Sequence, residues 1–178
     1  MLDPAVGALL AGCYALLFAS AALHKLLDLP RFAAVLDAYA LLPGSARLAW
    51  IVPLSEAAVA AGMLWGVTRP WAGLLGAVLL ALYAAAIAIN LRRGRTDLAC
   101  GCGGANERRP IAPWMVWRNL ALGLLMGAAA LKWGQRPMVA VDALTVAAGV
   151  ATAALLYVSL DRLLGQVLPR AQLLQGSS

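Results

Sequence analysis

The chain has 178 residues, of which 63% are hydrophobic and only 12% are charged, and its formal net charge is +6. Soluble domains contain about 25% charged residues, and one of this size could not hide so much apolar surface. The composition therefore excludes an ordinary soluble enzyme. The basic residues lie between apolar runs, so the positive charge indicates membrane topology rather than nucleic-acid binding.

Apolar runs of about 20 residues, the length that crosses a hydrocarbon core, recur along the chain. They predict an all-α integral membrane protein, a single domain over residues 1–178 with a bundle of four to five transmembrane helices. The predicted spans cover about 5–27, 48–67, 71–91, 114–131 and 139–160. Apolar residues at helical spacing within 30–42 predict an additional short helix in the membrane interface.

Polar residues inside the spans cluster at one end of the predicted bundle. Successive spans alternate in direction, so the end of the first, the start of the second, the end of the third and the start of the fourth share one face. This face holds His24, Lys25, Glu56, Asn90, Arg118, Asn119 and the loop 92–113, whereas Asp142 falls at the opposite end. Ionisable groups within spans normally face a partner or a cavity. We therefore expect Glu56 and Arg118 to pair, either as a structural ion pair or as a polar floor that tunes thiol protonation.

The loop 92–113 is the one long polar segment and contains Cys100-Gly-Cys102. Two thiols separated by one residue can close a small, strained disulfide, and such disulfides tend to exchange readily. Neighbouring arginines favour the thiolate, which attacks disulfides and binds soft metals. The alternative is a pair of spectator cysteines in a flexible loop. Asp97 is either a solvated loop charge or a participant in proton transfer.

Three functions are compatible with this pattern. The first is a thiol–disulfide oxidoreductase, with a quinone dissolved in the bilayer as the candidate electron acceptor, although no motif identifies a quinone site. The second is a carrier of copper or mercury, in which two thiolates and His24 bind the ion. The third is a membrane scaffold whose loop only docks a partner. His24, the sole histidine, could also be an interfacial hydrogen-bonding group or a proton carrier.

Three segments together resemble the MauE-type methylamine-utilisation membrane proteins, which are relatives of the DoxX-like family. They are the end of the first span at His24-Lys25, the element from Tyr39 to Pro43, and above all residues 90–103. The resemblance implies a helical inner-membrane protein that works with a thioredoxin-like partner. It also implies a role in maturation, including disulfide formation, of the small subunit of periplasmic methylamine dehydrogenase. By motif match, Cys100 and Cys102 are the redox pair.

The orientation of the loop is left open by two opposing arguments. Eleven of the fourteen Lys and Arg residues fall on the face of the Cys-Gly-Cys loop, which predicts a cytoplasmic loop and an external N-terminus. A periplasmic client requires the disulfide chemistry on the other side. Either the loop arginines are functional and the topology is inverted, or electrons cross the membrane.

Overall fold

The computed structural model describes residues 3–41, 44–100, 110–129 and 136–175. Six α-helices follow one another in these segments, with one 3-10 turn at Ser45–Leu48. They are α1 (Pro4–Leu27), α2 (Leu29–Tyr39), α3 (Ile51–Leu64), α4 (Arg69–Arg92), α5 (Pro113–Ala129) and α6 (Ala140–Gln175).

Aspartate caps begin both helices of the N-terminal segment. The Asp3 side chain accepts a hydrogen bond from the Ala5 amide at 2.8 Å and starts α1. Asp28 accepts from the Arg31 amide at 3.3 Å and starts α2. A short polar side chain at this position satisfies an amide that has no helical partner. Helix α2 ends at Tyr39 and is capped by Ala40, whose φ of 47° is left-handed. A short helix therefore forms within the predicted segment 30–42.

Helices α3 and α4 form a tightly packed hairpin. A Cβ at Gly62 would lie 2.8 Å from the Cβ of Ala72, so only glycine permits this approach. The Thr68 hydroxyl donates to the Gly62 carbonyl at 2.8 Å and closes the turn. Helix α3 begins three residues later than the predicted span because Ser45–Leu48 is a 3-10 turn. Pro53 then lies in the first turn of α3, where a missing amide is tolerated.

The core lies where α1, α3, α4 and α5 meet. Its most buried large side chains include Phe18, Val59, Met63 and Met126. Gly76 on α4 allows Met126 to approach, because a Cβ there would lie 2.6 Å from the Met126 sulfur. The interface therefore depends on small residues that bring backbones together, as is usual in membrane bundles.

Helix α6 packs against α1 at the edge of the bundle. A Cβ at Gly12 would lie 2.9 Å from Cγ2 of Val150, and one at Gly149 would lie 2.7 Å from Cδ1 of Leu9. The helix itself continues to Gln175, beyond the predicted end of the span near residue 160. The charged residues from Asp161 onward end the apolar run, but they do not end the helix.

Four helical stretches in the described segments are long and apolar enough to cross a membrane by length and composition. They are Pro4–Leu27, Ala46–Leu64, Arg69–Arg92 and Ala140–Leu164. Helix α5 has 17 residues and packs along α4. The prediction of an all-α, multi-pass membrane bundle is confirmed.

Candidate functional site

A buried ion pair joins α1 to α3 near the end of α1. The Lys25 ammonium lies 2.7 Å and 2.9 Å from the two carboxylate oxygens of Glu56, and only 1% of Glu56 is exposed. Tyr83 on α4 donates its hydroxyl to Glu56 Oε1 at 2.8 Å. The ammonium also lies 5.5 Å from the ring centroid of Phe32 and 5.6 Å from that of Tyr83. We call Lys25, Glu56 and Tyr83 the polar cluster.

The polar cluster corrects one expectation. Glu56 does not pair with Arg118 as predicted, since its carboxylate is bound by Lys25. Arg118 instead pairs with Asp161 of α6, with 2.5 Å between Nη1 and Oδ1. Its guanidinium also stacks 5.2 Å from the ring centroid of Trp114. Lys25 reaches Glu56 because both side chains point into the same helix interface. The position of a residue along its span, which the sequence gives, does not distinguish Lys25 from Arg118 as the partner of Glu56.

A cavity of about 60 Å³ adjoins the polar cluster. The five helices that line it, α1, α3, α4, α5 and α6, are the long helices of the bundle. Its polar lining consists of Lys25, Glu56, Tyr83, Arg118, Asn119 and Tyr157. The predicted gathering of Lys25, Glu56, Arg118 and Asn119 at one end of the bundle is therefore confirmed. Asp142 lies at the other end, where Arg136 binds it.

The base of the cysteine loop rests on α2, α4 and α5. Ala99 and Pro110 form an antiparallel bridge, and the Ile111 amide donates to the Leu98 carbonyl at 2.9 Å. Cys100 is half-buried and packs against a cluster of Tyr39, Ile87, Leu98, Ile111 and Met115. The Tyr39 hydroxyl donates to the Cys100 carbonyl at 3.4 Å. We call residues 98–100 and 110–111 the loop base.

Asn90 connects the end of α4 to the loop. It is fully buried and donates from Nδ2 to the Ala86 carbonyl at 3.1 Å. Its Oδ1 accepts from Arg95 at 3.3 Å, and its carbonyl accepts from the Arg93 and Arg95 amides. Arg93 also donates to the Ala40 carbonyl at 3.2 Å, which ties the loop to the end of α2. Asn90 thus sets the direction in which the chain leaves α4.

Two further predicted site residues, His24 and Asp97, are not part of the polar cluster. His24 and Asp97 are exposed, and neither lines the cavity. Cys102, the second member of the predicted redox pair, lies outside the described residues. Cys13 is half-buried in the middle of α1. Among the side chains of the described segments, no group of three His, Cys, Asp or Glu residues could hold a metal ion.

A second charged network lies at the opposite end of the bundle. Arg136 donates to both oxygens of Asp3, at 2.9 Å and 3.0 Å, and also to Asp142. The hydrogen bond from Arg136, followed by that from the Ala5 amide, lowers the pKa of Asp3 below its usual 3.8. The two aspartates raise the pKa of Arg136 above its ordinary value. This network connects the start of α1 to the start of α6.

Several residues of the site were not selected from the sequence. Tyr83 and Tyr157 lie in apolar spans, where tyrosine is commonly an interfacial residue. Asp161 lies just beyond the predicted fifth span, 139–160, and the parity argument places the end of that span on the face of the cysteine loop. That argument could have identified it as the partner of Arg118.

Comparison with known proteins gives consistent matches over most of the chain. The family model for methylamine utilisation protein MauE matches residues 3–134. MauE of Paracoccus denitrificans is 38% identical over 156 residues, covering 85% of this chain and 83% of the relative. MauE of Paracoccus versutus is 37% identical over 166 residues, covering 92% and 89%. MauE of Methylophilus methylotrophus is 34% identical over 171 residues, covering 92% and 88%. No solved structure matches significantly. With this coverage and identity, the chain belongs to the MauE family of membrane proteins.

Proposed function

We propose that this protein is a membrane thiol–disulfide oxidoreductase that uses Cys100 and Cys102 as its redox pair. It acts in methylamine utilisation, the process for which its relatives are named. Its immediate partner is a thioredoxin-like protein. Its client is a periplasmic protein, the small subunit of methylamine dehydrogenase, and the protein itself resides in the bacterial inner membrane.

The proposed exchange conserves electrons and protons. A thiolate of the reduced partner attacks one sulfur of the Cys100–Cys102 disulfide and forms a mixed disulfide. The partner's second thiolate then resolves that bond. The partner leaves with a disulfide, and Cys100 and Cys102 leave as a dithiol that has received two electrons and two protons.

The observation that carries this proposal is the fixed loop base. An exchange site must present a sulfur at a defined position, and the backbone leading into Cys100 is held in place. The bridge between Ala99 and Pro110 joins the two ends of the loop. The contact of Tyr39 with Cys100 and the apolar cluster beneath fasten it to the bundle. A spectator cysteine would not require such anchoring.

Single serine variants test the proposal. The full-length protein in lipid nanodiscs is mixed with a reduced thioredoxin, and the disulfide formed in thioredoxin is followed by alkylation and gel shift. We expect Cys100→Ser and Cys102→Ser to reduce the rate to the uncatalysed background, because exchange needs both sulfurs. The control Cys13→Ser removes a half-buried thiol in α1 and should retain the rate. Full exchange by both single variants would refute the proposal.

The scaffold alternative makes the opposite prediction in cells. If the loop only docks a partner, serine at both positions should preserve growth on methylamine.

Thiol labelling in intact cells determines which side of the membrane the loop faces. Cys100 and Cys102 are labelled with a membrane-impermeant maleimide, with and without prior reduction. Access from outside would favour direct contact with the periplasmic client and would contradict the orientation that charge counting predicts.

A further inference from the structure

The cavity beside the polar cluster has no role in thiol exchange as proposed above. It lies between the five long helices, on the same side of the bundle as the loop base. Ionisable groups inside membrane spans are costly and usually mark a path or a binding site. A buried ion pair contributes little to stability compared with well-packed apolar residues. The polar cluster therefore calls for a functional explanation.

The charges around the cavity favour a neutral ligand. Lys25 is balanced by Glu56, and Arg118 is balanced by Asp161. An anion would meet the Glu56 carboxylate, and a cation would meet the Lys25 ammonium. A neutral ligand with hydrogen-bond acceptors avoids both conflicts.

The hydrogen-bonding groups and the walls specify that ligand further. An ammonium has three N–H donors, and Lys25 directs two of them to Glu56, so the third can serve a ligand. The rest of the lining is mostly apolar and includes Leu17, Phe18, Leu80 and Leu122. Apolar walls with a few placed polar groups are typical of small-molecule sites. This combination suits a carbonyl oxygen on an apolar ring.

We propose that the cavity binds the carbonyl edge of a lipid-soluble quinone, with Lys25 as a hydrogen-bond donor. The volume of the cavity is about 60 Å³, less than the roughly 150 Å³ that holds benzene in an engineered protein cavity. Only the carbonyl edge enters, and the rest of the ring and the isoprenoid tail remain outside.

This inference rests on the proposed function, because it supplies the missing oxidant. Reoxidation of the Cys100–Cys102 dithiol forms one S–S bond and releases two electrons and two protons. A quinone takes up both electrons and both protons and becomes a quinol, so the balance closes without another reactant.

The cavity and the loop base are connected through α5. Arg118 lines the cavity and stacks on Trp114. Trp114 packs against the same apolar cluster as Cys100. A chain of contacts through Arg118 and Trp114 therefore connects the cavity to the cluster on which Cys100 packs.

Binding is measured with decylubiquinone and the Cys100→Ser variant in nanodiscs, so that no electrons are exchanged. Equilibrium dialysis against empty nanodiscs corrects for partition into lipid. We expect saturable binding with one site per protein. The variant Lys25→Met/Glu56→Leu removes both charges of the pair at similar volume, and it should reduce binding at least tenfold. Its far-ultraviolet circular dichroism and melting curve verify that it folds.

Two tyrosine variants provide a matched comparison. Tyr83→Phe removes the hydroxyl that donates to Glu56 Oε1. It should weaken binding by up to about fivefold, because the carboxylate that positions Lys25 loses one hydrogen bond. Tyr14→Phe removes a buried hydroxyl that donates to the Leu122 carbonyl and does not line the cavity, so binding should not change.

Absence of saturable binding would overturn the quinone site, and so would equal binding by the folded double variant and the parent. The cavity would then hold water only. Failure of thiol exchange in the preceding experiment would leave this binding result intact, so the two proposals can fail separately.

Discussion

The pair of Lys25 and Glu56 permits a quantitative test of how the bundle is held together. Glu56→Leu leaves the Lys25 ammonium buried without its carboxylate. Removing one partner of a buried ion pair costs about 3–5 kcal/mol. For a chain of this length that corresponds to a melting temperature lowered by roughly 6–20 °C. Lys25→Met should be similarly harmful, because Glu56 would keep only the hydroxyl of Tyr83.

The double variant Lys25→Met/Glu56→Leu should recover most of the loss, because apolar replacement of a whole buried pair is often neutral or stabilising. Melting curves followed by circular dichroism in one detergent give all three values. Asp97→Asn is the control, since this exposed carboxylate should shift stability by less than about 0.5 kcal/mol. If Glu56→Leu melted with the parent protein, the desolvated ion pair would not exist in the bundle and the reasoning would be refuted.

Two further predictions concern packing and pH. Gly62→Ala should destabilise the α3–α4 hairpin by about 1–3 kcal/mol, because its Cβ would meet Ala72. Gly66→Ala, with open space around it, should leave the melting temperature unchanged or slightly raised, and equal effects would contradict the close approach. The depressed pKa of Asp3 implies a stabilisation that is present above pH 3.8 and is lost as the pH falls through the lower, folded value. The melting temperatures of the parent and Asp3→Asn should therefore differ at pH 6 and converge under strong acid, and a constant difference would show that Arg136 does not act through the Asp3 charge.

The sequence predicted the helices well because bilayer thickness sets the length of an apolar run. Parity of the spans also placed Lys25, Glu56 and Arg118 at one end without any side-chain geometry. The sequence could not predict which of the two cations pairs with Glu56, because that depends on the rotation of each helix about its axis. The aspartate that binds Arg118 was missed for a related reason, since the hydrophobic pattern ends at Asp161 while the helical hydrogen bonds continue.

The loop base was harder to predict than the spans. Leu98 and Ile111 are isolated apolar residues in a polar segment, and no periodicity indicates that they pair. Their burial arises from the cluster with Tyr39 of α2, which is distant in sequence. The residue types alone led to the proposed thiol chemistry of the Cys-Gly-Cys segment, whereas the contacts of Cys100 with the bundle required the tertiary structure.

The contact between α1 and α6 has a consequence for biogenesis. Helix α1 finds one of its packing partners in α6, which is synthesised well after it, through the close approach of Gly12 to Val150. Domains of a nascent chain ordinarily fold in order of synthesis, but here that face of α1 must wait until α6 has been made. Until then its glycine-containing surface is open to lipid, to the insertion machinery or to another nascent chain. A stop codon placed before α6 should therefore yield an inserted but incompletely assembled bundle that is a substrate for membrane quality control.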